Sequence, residues 1–213
     1  MVPKTDAAKR TKLRIWMAVL FVVLITGGIV TNRSHHLLFH YKGFSDQVKQ
    51  YRPLIKKNLA KYGLENYTPV LMAVMEQESG GTGGDPMQAS ESAGLPANAI
   101  DDPKRSIVQG VKHFRHVLAY GKRKHVDFAT IIQAYNMGPG YIHYVAEHGG
   151  KHSESLAKQF SLLQVHRHPE LYDCGGNRNN FRYPYCYGDY TYSSKVMKDL
   201  HVYRGEKTSD DTF

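Results

Sequence analysis

From Val48 onward, apolar residues return every three or four positions, and the stretches carrying that rhythm are cut by glycine, proline and polar loops. "FSDQVKQYRPLIKKNLAKYGL" puts Val48, Tyr51, Ile55, Leu59 and Tyr62 on one face of a helix whose first turns Pro53 weakens. "NYTPVLMAVMEQESGG" predicts a second helix, with Thr68 as cap, Pro69 at its first position and Gly80 and Gly81 at its end. "DPKRSIVQGVKHFRHVLAYGK" carries Ile107, Val111, Phe114 and Leu118 on one stripe. Phe128 to Tyr135 is a strongly apolar helix broken by Gly138, Pro139 and Gly140, with a restart at Tyr141 that stops at Gly149 and Gly150. "SESLAKQFSLLQ" and "YSSKVMKDLHVY" predict two more helices. Between them, Val165 to about Tyr192 is rich in His, Tyr, Asn, Gly and Pro and predicts an ordered but irregular loop. No alternating strand pattern and no internal repeat is present, so the class is mainly α.

One apolar run has no polar face. "IWMAVLFVVLITGGIV", Ile15 to Val30, is uncharged and follows Lys4, Lys9, Arg10, Lys12 and Arg14. It reads as a transmembrane anchor over residues 15–31, after a cytoplasmic basic flank at 1–14. The exit "GGIVTNRSHH" lacks the small-residue pattern of a cleavable signal, which favours an uncleaved single-pass anchor; cleavage would instead make the protein secreted. Either way the remainder is outside the cell: a linker at 32–43, a domain at 44–204 and a disordered polar tail at 205–213.

The 213 residues, 41% of them hydrophobic, suffice for one buried core once the anchor is set aside. The formal charge is +9; five Lys/Arg against one Asp in residues 1–14 account for +4, leaving +5 for the rest. That balance suits an anionic cell-wall polymer or merely a solvated face. No basic block interleaved with aromatics appears, so a nucleic-acid partner is not expected.

The two cysteines, Cys174 and Cys186, lie in one irregular segment outside the cell, where a disulfide is permitted; two free thiols are the alternative. Among the twelve histidines, His166 and His168 near those cysteines are a conceivable zinc set, and His113 and His116 share a helix face. With no H-E-x-x-H and no C-x-x-C spacing, neither a metal nor any other cofactor is expected. No G-x-S-x-G or triad pattern supports a serine or cysteine nucleophile.

Carboxylates are the better lead. Leu71, Val74, Met75 and Glu78 fall at i, i+3, i+4 and i+7, so Glu78 continues the apolar stripe, while Glu76 points about 160° away. A carboxyl group held against apolar neighbours keeps its proton to higher pH, as a general acid requires; a buried glutamate paired with Arg or Lys is the structural alternative. The following glycine-rich loop brings Asp85, Gln88, Ser90 and Glu91 within a dozen or so residues of Glu78, and a second polar loop carries Tyr135 and Asn136. Together they suggest the walls of a cleft.

In that order and at those separations, "QESGG", "DPMQAS" and "AYNMGPGY" resemble the motifs of the lysozyme-like domain of goose-type lysozymes and soluble lytic transglycosylases. The similar bacterial form occurs on cell-wall hydrolases of Gram-positive conjugative elements; "ESAGLP" and Asp102 to Phe114 also match it. The resemblance covers roughly Val48 to Leu200. It implies an α-helical lobe with a saccharide cleft, acting on the β-1,4 bond between N-acetylmuramic acid and N-acetylglucosamine of peptidoglycan. By position, Glu78 would protonate the glycosidic oxygen and Ser79 would support its loop. Met87 and Gln88 would line the floor, Tyr135 and Asn136 would hold Glu78 or the acetamido group, and Ser90, Glu91 and Tyr141 would complete the substrate-binding set.

Three matters stay open at this stage. Asp85 leads as a second carboxylate, although Asp-Pro is also a common turn starter, so hydrolysis and transglycosylation are both compatible. Such domains often precede a peptidase domain for which this chain has no room, and the Cys174–Cys186 segment has no counterpart in the family pattern. The rival reading is a membrane-tethered, non-catalytic glycan-binding module of a secretion or conjugation complex.

Overall fold

The computed structural model describes residues 44–210; the basic flank, the anchor segment, the linker through 43 and residues 211–213 lie outside that range. Among the described residues there are eight α-helices, no strand, and no helix long and apolar enough to cross a membrane. In chain order the helices are α1 (Asp46–Lys49), α2 (Arg52–Ala60), α3 (Thr68–Glu78), α4 (Pro103–Arg123), α5 (Phe128–Met137), α6 (Pro139–Glu147), α7 (Glu154–Arg167) and α8 (Tyr192–Asp210).

Proline and aspartate set most of the helix starts. Asp102 caps α4 by accepting from the Lys104 amide at 2.9 Å, and Asp127 caps α5 by accepting from the Thr130 amide at 3.0 Å. Four helices carry a proline in the first turn, where its missing N–H costs nothing. Pro139 accordingly opens α6 two residues before the expected restart at Tyr141, and Gly138 alone makes the turn. Pro53 divides the expected first helix into α1 and α2, since it lacks an N–H for the carbonyl of Lys49 and its ring crowds that group. Helix α2 ends at Ala60, so Tyr62 falls in the turn beyond it and off the shared face; it is 37% exposed, with the Arg115 guanidinium stacked 4.5 Å from its ring centre. Thr68 is the first residue of α3 rather than its cap, and its hydroxyl donates to the Glu65 carbonyl at 2.6 Å.

Helix α3 is the axis of the domain. Val70 to Met75 are buried without interruption, the signature of a helix packed on all sides. It lies against α2 and α8, while α4, α5 and α6 pack on one another around the same core. Leu71, Met75, Ile107, Phe114 and Ile132 are fully buried in that core, each stabilising by roughly 1.5–3 kcal/mol. The Phe114 ring meets the Tyr67 ring at 5.4 Å. The last helix runs through Gly205 to Asp210, beyond the expected end.

Two consequences of this packing place the site. The polar end of α3 at Glu78 meets the end of α5 at Tyr135 and Asn136, and the loops 79–102 and 168–191 fold over the junction.

Candidate active site

Glu78 is the last residue of α3, where the outgoing carbonyl dipoles already disfavour a negative charge. Its side chain sits half-buried at the bottom of a cleft of about 560 Å³. Burial pushes its carboxyl group up to about 7, the hydrogen bond from Tyr192 pulls it down, and the charges of Asp85 and Glu91 add to the rise. The Tyr192 hydroxyl donates to Glu78 Oε1 at 2.7 Å and fixes its orientation. No Lys or Arg is within ion-pair distance of Glu78 among the described residues, so it is not the paired structural glutamate considered from the sequence. Glu76 is turned elsewhere and accepts from the Ser45 amide and hydroxyl, both at 3.0 Å.

The expected second carboxylate does not share the cleft. Asp85 is 3% exposed. Its Oδ1 accepts from the Ala89 amide at 2.9 Å and the Ser106 hydroxyl at 2.6 Å, and its Oδ2 from the Ser90 amide at 3.0 Å and the Ser90 hydroxyl at 2.5 Å. Burial alone would raise its pKa, but these four donors outweigh it and hold the carboxyl group below its ordinary value. Asp85 is thus the anion around which residues 85–90 wind, with no lone pair turned to a substrate. Glu91 is the carboxylate that lines the cleft beside Glu78, and it is exposed.

Several other expected contacts belong to the scaffold beneath the cleft. Ser90 is buried, sharing its hydroxyl between Asp85 and the Ile100 amide. Met87 is fully buried against Gly110, where any Cβ would come within 2.8 Å of the methionine side chain, so it underlies the floor without lining it. Ser79 donates to the Pro86 carbonyl at 2.8 Å and accepts from the Gly81 amide at 3.0 Å, tying the loop to the helix end. Tyr141 is 0% exposed and its hydroxyl pairs with His152 Nδ1 at 2.8 Å, which makes it a core residue and not a sugar contact.

Gln88, Tyr135 and Asn136 do line the cleft. Gln88 adopts a left-handed backbone with φ 44° and is exposed, its Nε2 donating to the Asp85 carbonyl and to Asn98 Oδ1, both at 3.0 Å. The Tyr135 hydroxyl donates to the Met87 carbonyl at 3.2 Å, leaving the ring as cleft wall. Asn136 Oδ1 accepts from the Asp189 amide at 2.7 Å and so clasps the C-terminal loop.

That loop closes the opposite wall. Cys174 and Cys186 form a disulfide with a Cα separation of 5.1 Å, so their sulfurs are not available for the zinc set, and no cluster fit for a metal occurs among the described residues. Tyr172, Arg182, Cys186, Tyr187 and Gly188 face the cleft. The Tyr187 hydroxyl donates to the Met137 carbonyl at 2.9 Å, and Gln133 Nε2 donates to the Asp189 carbonyl at 2.6 Å. Gly188, at φ 65°, lies where a Cβ would meet Asn136 Oδ1 at 2.8 Å.

A profile described as Lysozyme-like matches residues 45–200, most of the chain and all of the site. The chain belongs to the lysozyme-like family. Within that family it is 57% identical over 153 residues to the uncharacterized membrane protein YocA of Bacillus subtilis, covering 72% of this chain and 68% of YocA. It is 43% identical over 123 residues to the bifunctional muramidase/DL-endopeptidase CwlT of the same organism, covering 58% of this chain and 36% of CwlT. Pneumococcal vaccine antigen A of Streptococcus pneumoniae is 31% identical over 203 residues, 89% of this chain and 93% of the antigen. Among solved structures, an NLP/P60-family lipoprotein-like protein of Staphylococcus aureus superposes with a TM-score of 0.63 at 38% identity, over 75% of this chain and 54% of that one.

For this lysozyme-like domain, the sequence missed Tyr192, which lies 114 residues from the glutamate it holds, along with Gln133, Arg182 and Tyr187. No local pattern marks such residues. The cysteine pair was the one available signal that residues 174–186 form an ordered wall.

Proposed function

We propose that this domain cleaves the glycan strands of peptidoglycan at the β-1,4 bond between N-acetylmuramic acid and N-acetylglucosamine, with Glu78 as the general acid. One observation carries the reading: a carboxyl group pushed up to about 7 by burial, oriented by Tyr192, stands unpaired at the base of an open polar cleft. Near neutral pH a substantial share of Glu78 is protonated and able to protonate a leaving-group oxygen. Membership of the lysozyme-like family and the similarity to the muramidase CwlT favour peptidoglycan as the polymer.

Chemically, the glycosidic oxygen takes the Glu78 proton as the C1–O bond breaks and positive charge develops on the sugar ring. The conjugate carboxylate then stands in a cleft it shares with Glu91, and both charges favour the oxocarbenium-like state. Asn136 and Gln88 offer amide groups to the acetamido and hydroxyl groups of the sugars. Glu91, which lines the same cleft, would be the carboxylate that activates water, a role for which Asp85 has no free oxygen. The N-terminal apolar segment would hold the domain at the outer face of the membrane, consistent with YocA being named a membrane protein.

Digestion of purified peptidoglycan, followed by mass spectrometry of the released fragments, tests the proposal. The expected result is muropeptide release by the wild type and none by Glu78→Gln. Reducing ends would identify water as the acceptor, and ends lighter by one water would identify the muramyl C6 hydroxyl. Binding of glycan without release by the wild type would replace this reading with that of a binding module.

A further inference from the structure

The wall built by the disulfide loop carries a cation that the reaction above does not use. Arg182 faces the cleft, is half-buried, and has no carboxylate within ion-pair distance among the described residues. Its neighbours fix it in place. The Arg182 amide donates to Asn180 Oδ1 at 3.0 Å, and one guanidinium nitrogen, Nη1, donates to the Gly188 carbonyl at 3.3 Å. The backbone it leans on is itself anchored through Asp189 to Asn136 and through Tyr187 to Met137. One edge of the guanidinium is thereby committed and the remaining N–H donors stay available, in a geometry that matches a carboxylate.

We propose that Arg182 is a specificity residue that binds a carboxylate of the glycan substrate, so that the cleft selects acid-bearing muramyl strands over neutral amino-sugar polymers. This rests on the cleft being a glycan site. The other ionisable side chains lining it are Glu78, Glu91, His113 and the tyrosines, none of which is a fixed cation. An anionic branch on the sugar would therefore meet repulsion at Glu91 and attraction only at Arg182, which fixes the strand's direction as well as its identity. The carboxylate has two sources: the lactyl group itself on peptide-stripped strands, or an acid group of the stem peptide where the lactyl carbonyl is an amide.

The test uses the full chain and three substrates: peptide-bearing glycan, the same glycan stripped of peptide, and a neutral N-acetylglucosamine oligomer. Arg182→Gln is expected to raise KM about tenfold on a carboxylate-bearing glycan with kcat little changed, to leave binding of the neutral oligomer unaffected, and to be partly rescued by Arg182→Lys. A loss on the peptide-bearing glycan alone assigns the stem acid; a loss on the stripped glycan alone, or on both acidic glycans, assigns the lactyl or a shared acid position. Equal losses on all three substrates, or none on any, would overturn the proposal. Calorimetric binding of the same oligomers to Glu78→Gln and to Glu78→Gln/Arg182→Gln reads the contact without turnover. If the wild type cuts nothing while the double variant binds the acidic oligomer about tenfold more weakly than Glu78→Gln, cleavage fails and the carboxylate site stands.

Discussion

At the scale of single residues, two carboxylates seven positions apart have opposite environments. Glu78 has one hydroxyl donor and is otherwise desolvated by burial, whereas Asp85 has four donors and a closed loop. The same functional group is consequently raised in one place and lowered in the other. The expected consequence of Asp85→Ala is a loss of stability of about 3 kcal/mol, because two amides and two hydroxyls lose a charged acceptor in a buried site; chemical denaturation checks it. Activity should fall only as far as the 85–90 loop loosens, in contrast to its abolition in Glu78→Gln with the fold intact by circular dichroism. Tyr192→Phe isolates the remaining contact. It removes the one donor that favours the ionised form of Glu78, so the upper limb of the pH–activity profile should move to higher pH, while positioning of the acid worsens and kcat drops about tenfold.

At the scale of elements, the helices were legible because their periodic apolar faces and their Pro and Asp starts are local properties of the chain. Val48, Ile55 and Leu59 are buried as their spacing predicts, and Glu78 emerges on the stripe of Leu71 and Met75. The errors are local too: Pro53 divides a helix instead of weakening it, Pro139 starts one two residues early, and Tyr141 lies in the core and not in the cleft. What could not be read was the identity of partners across the fold. Asp85 looks catalytic in a list of acids near Glu78 and becomes structural only when Ser106, 21 residues away, is seen to donate to it. The irregular wall from 168 to 191 has no periodicity; its order comes from Gln133, Asn136 and the disulfide. Closing a loop of this length is worth about 3 kcal/mol. The Cys174→Ser/Cys186→Ser variant should lose up to that amount by denaturant titration. It should also raise KM through a loosened cleft wall, and reductant should reproduce the effect in the wild type but not in the double variant.

At the scale of the whole molecule, the acid role proposed for Glu78 and the stability of the fold pull in opposite directions. Its folded-state pKa of about 7 lies above the ordinary 4.5, so the folded state holds the extra proton, and the stability this confers is full below 4.5 and lost as pH rises to about 7. His113 and His152 oppose it. Burial, partly offset by an acceptor or nearby acids, depresses both, so their contribution is present above the ordinary 6.5 and is lost as pH falls below it. Asp85 and Asp189, both lowered, withdraw theirs as pH falls below the ordinary 3.8. A neutral amide at position 78 removes the alkaline cost alone. Glu78→Gln should therefore be more stable than the wild type at pH 8, by about 3 kcal/mol, with the advantage shrinking through pH 7 and vanishing near pH 4.5, while the acid limb of both proteins coincides. Thermal unfolding of the two proteins across pH 4–9 measures it. An advantage that is constant with pH would mean that Glu78 titrates as an ordinary exposed glutamate, and the inactive variant would then say nothing about a proton held for the sugar.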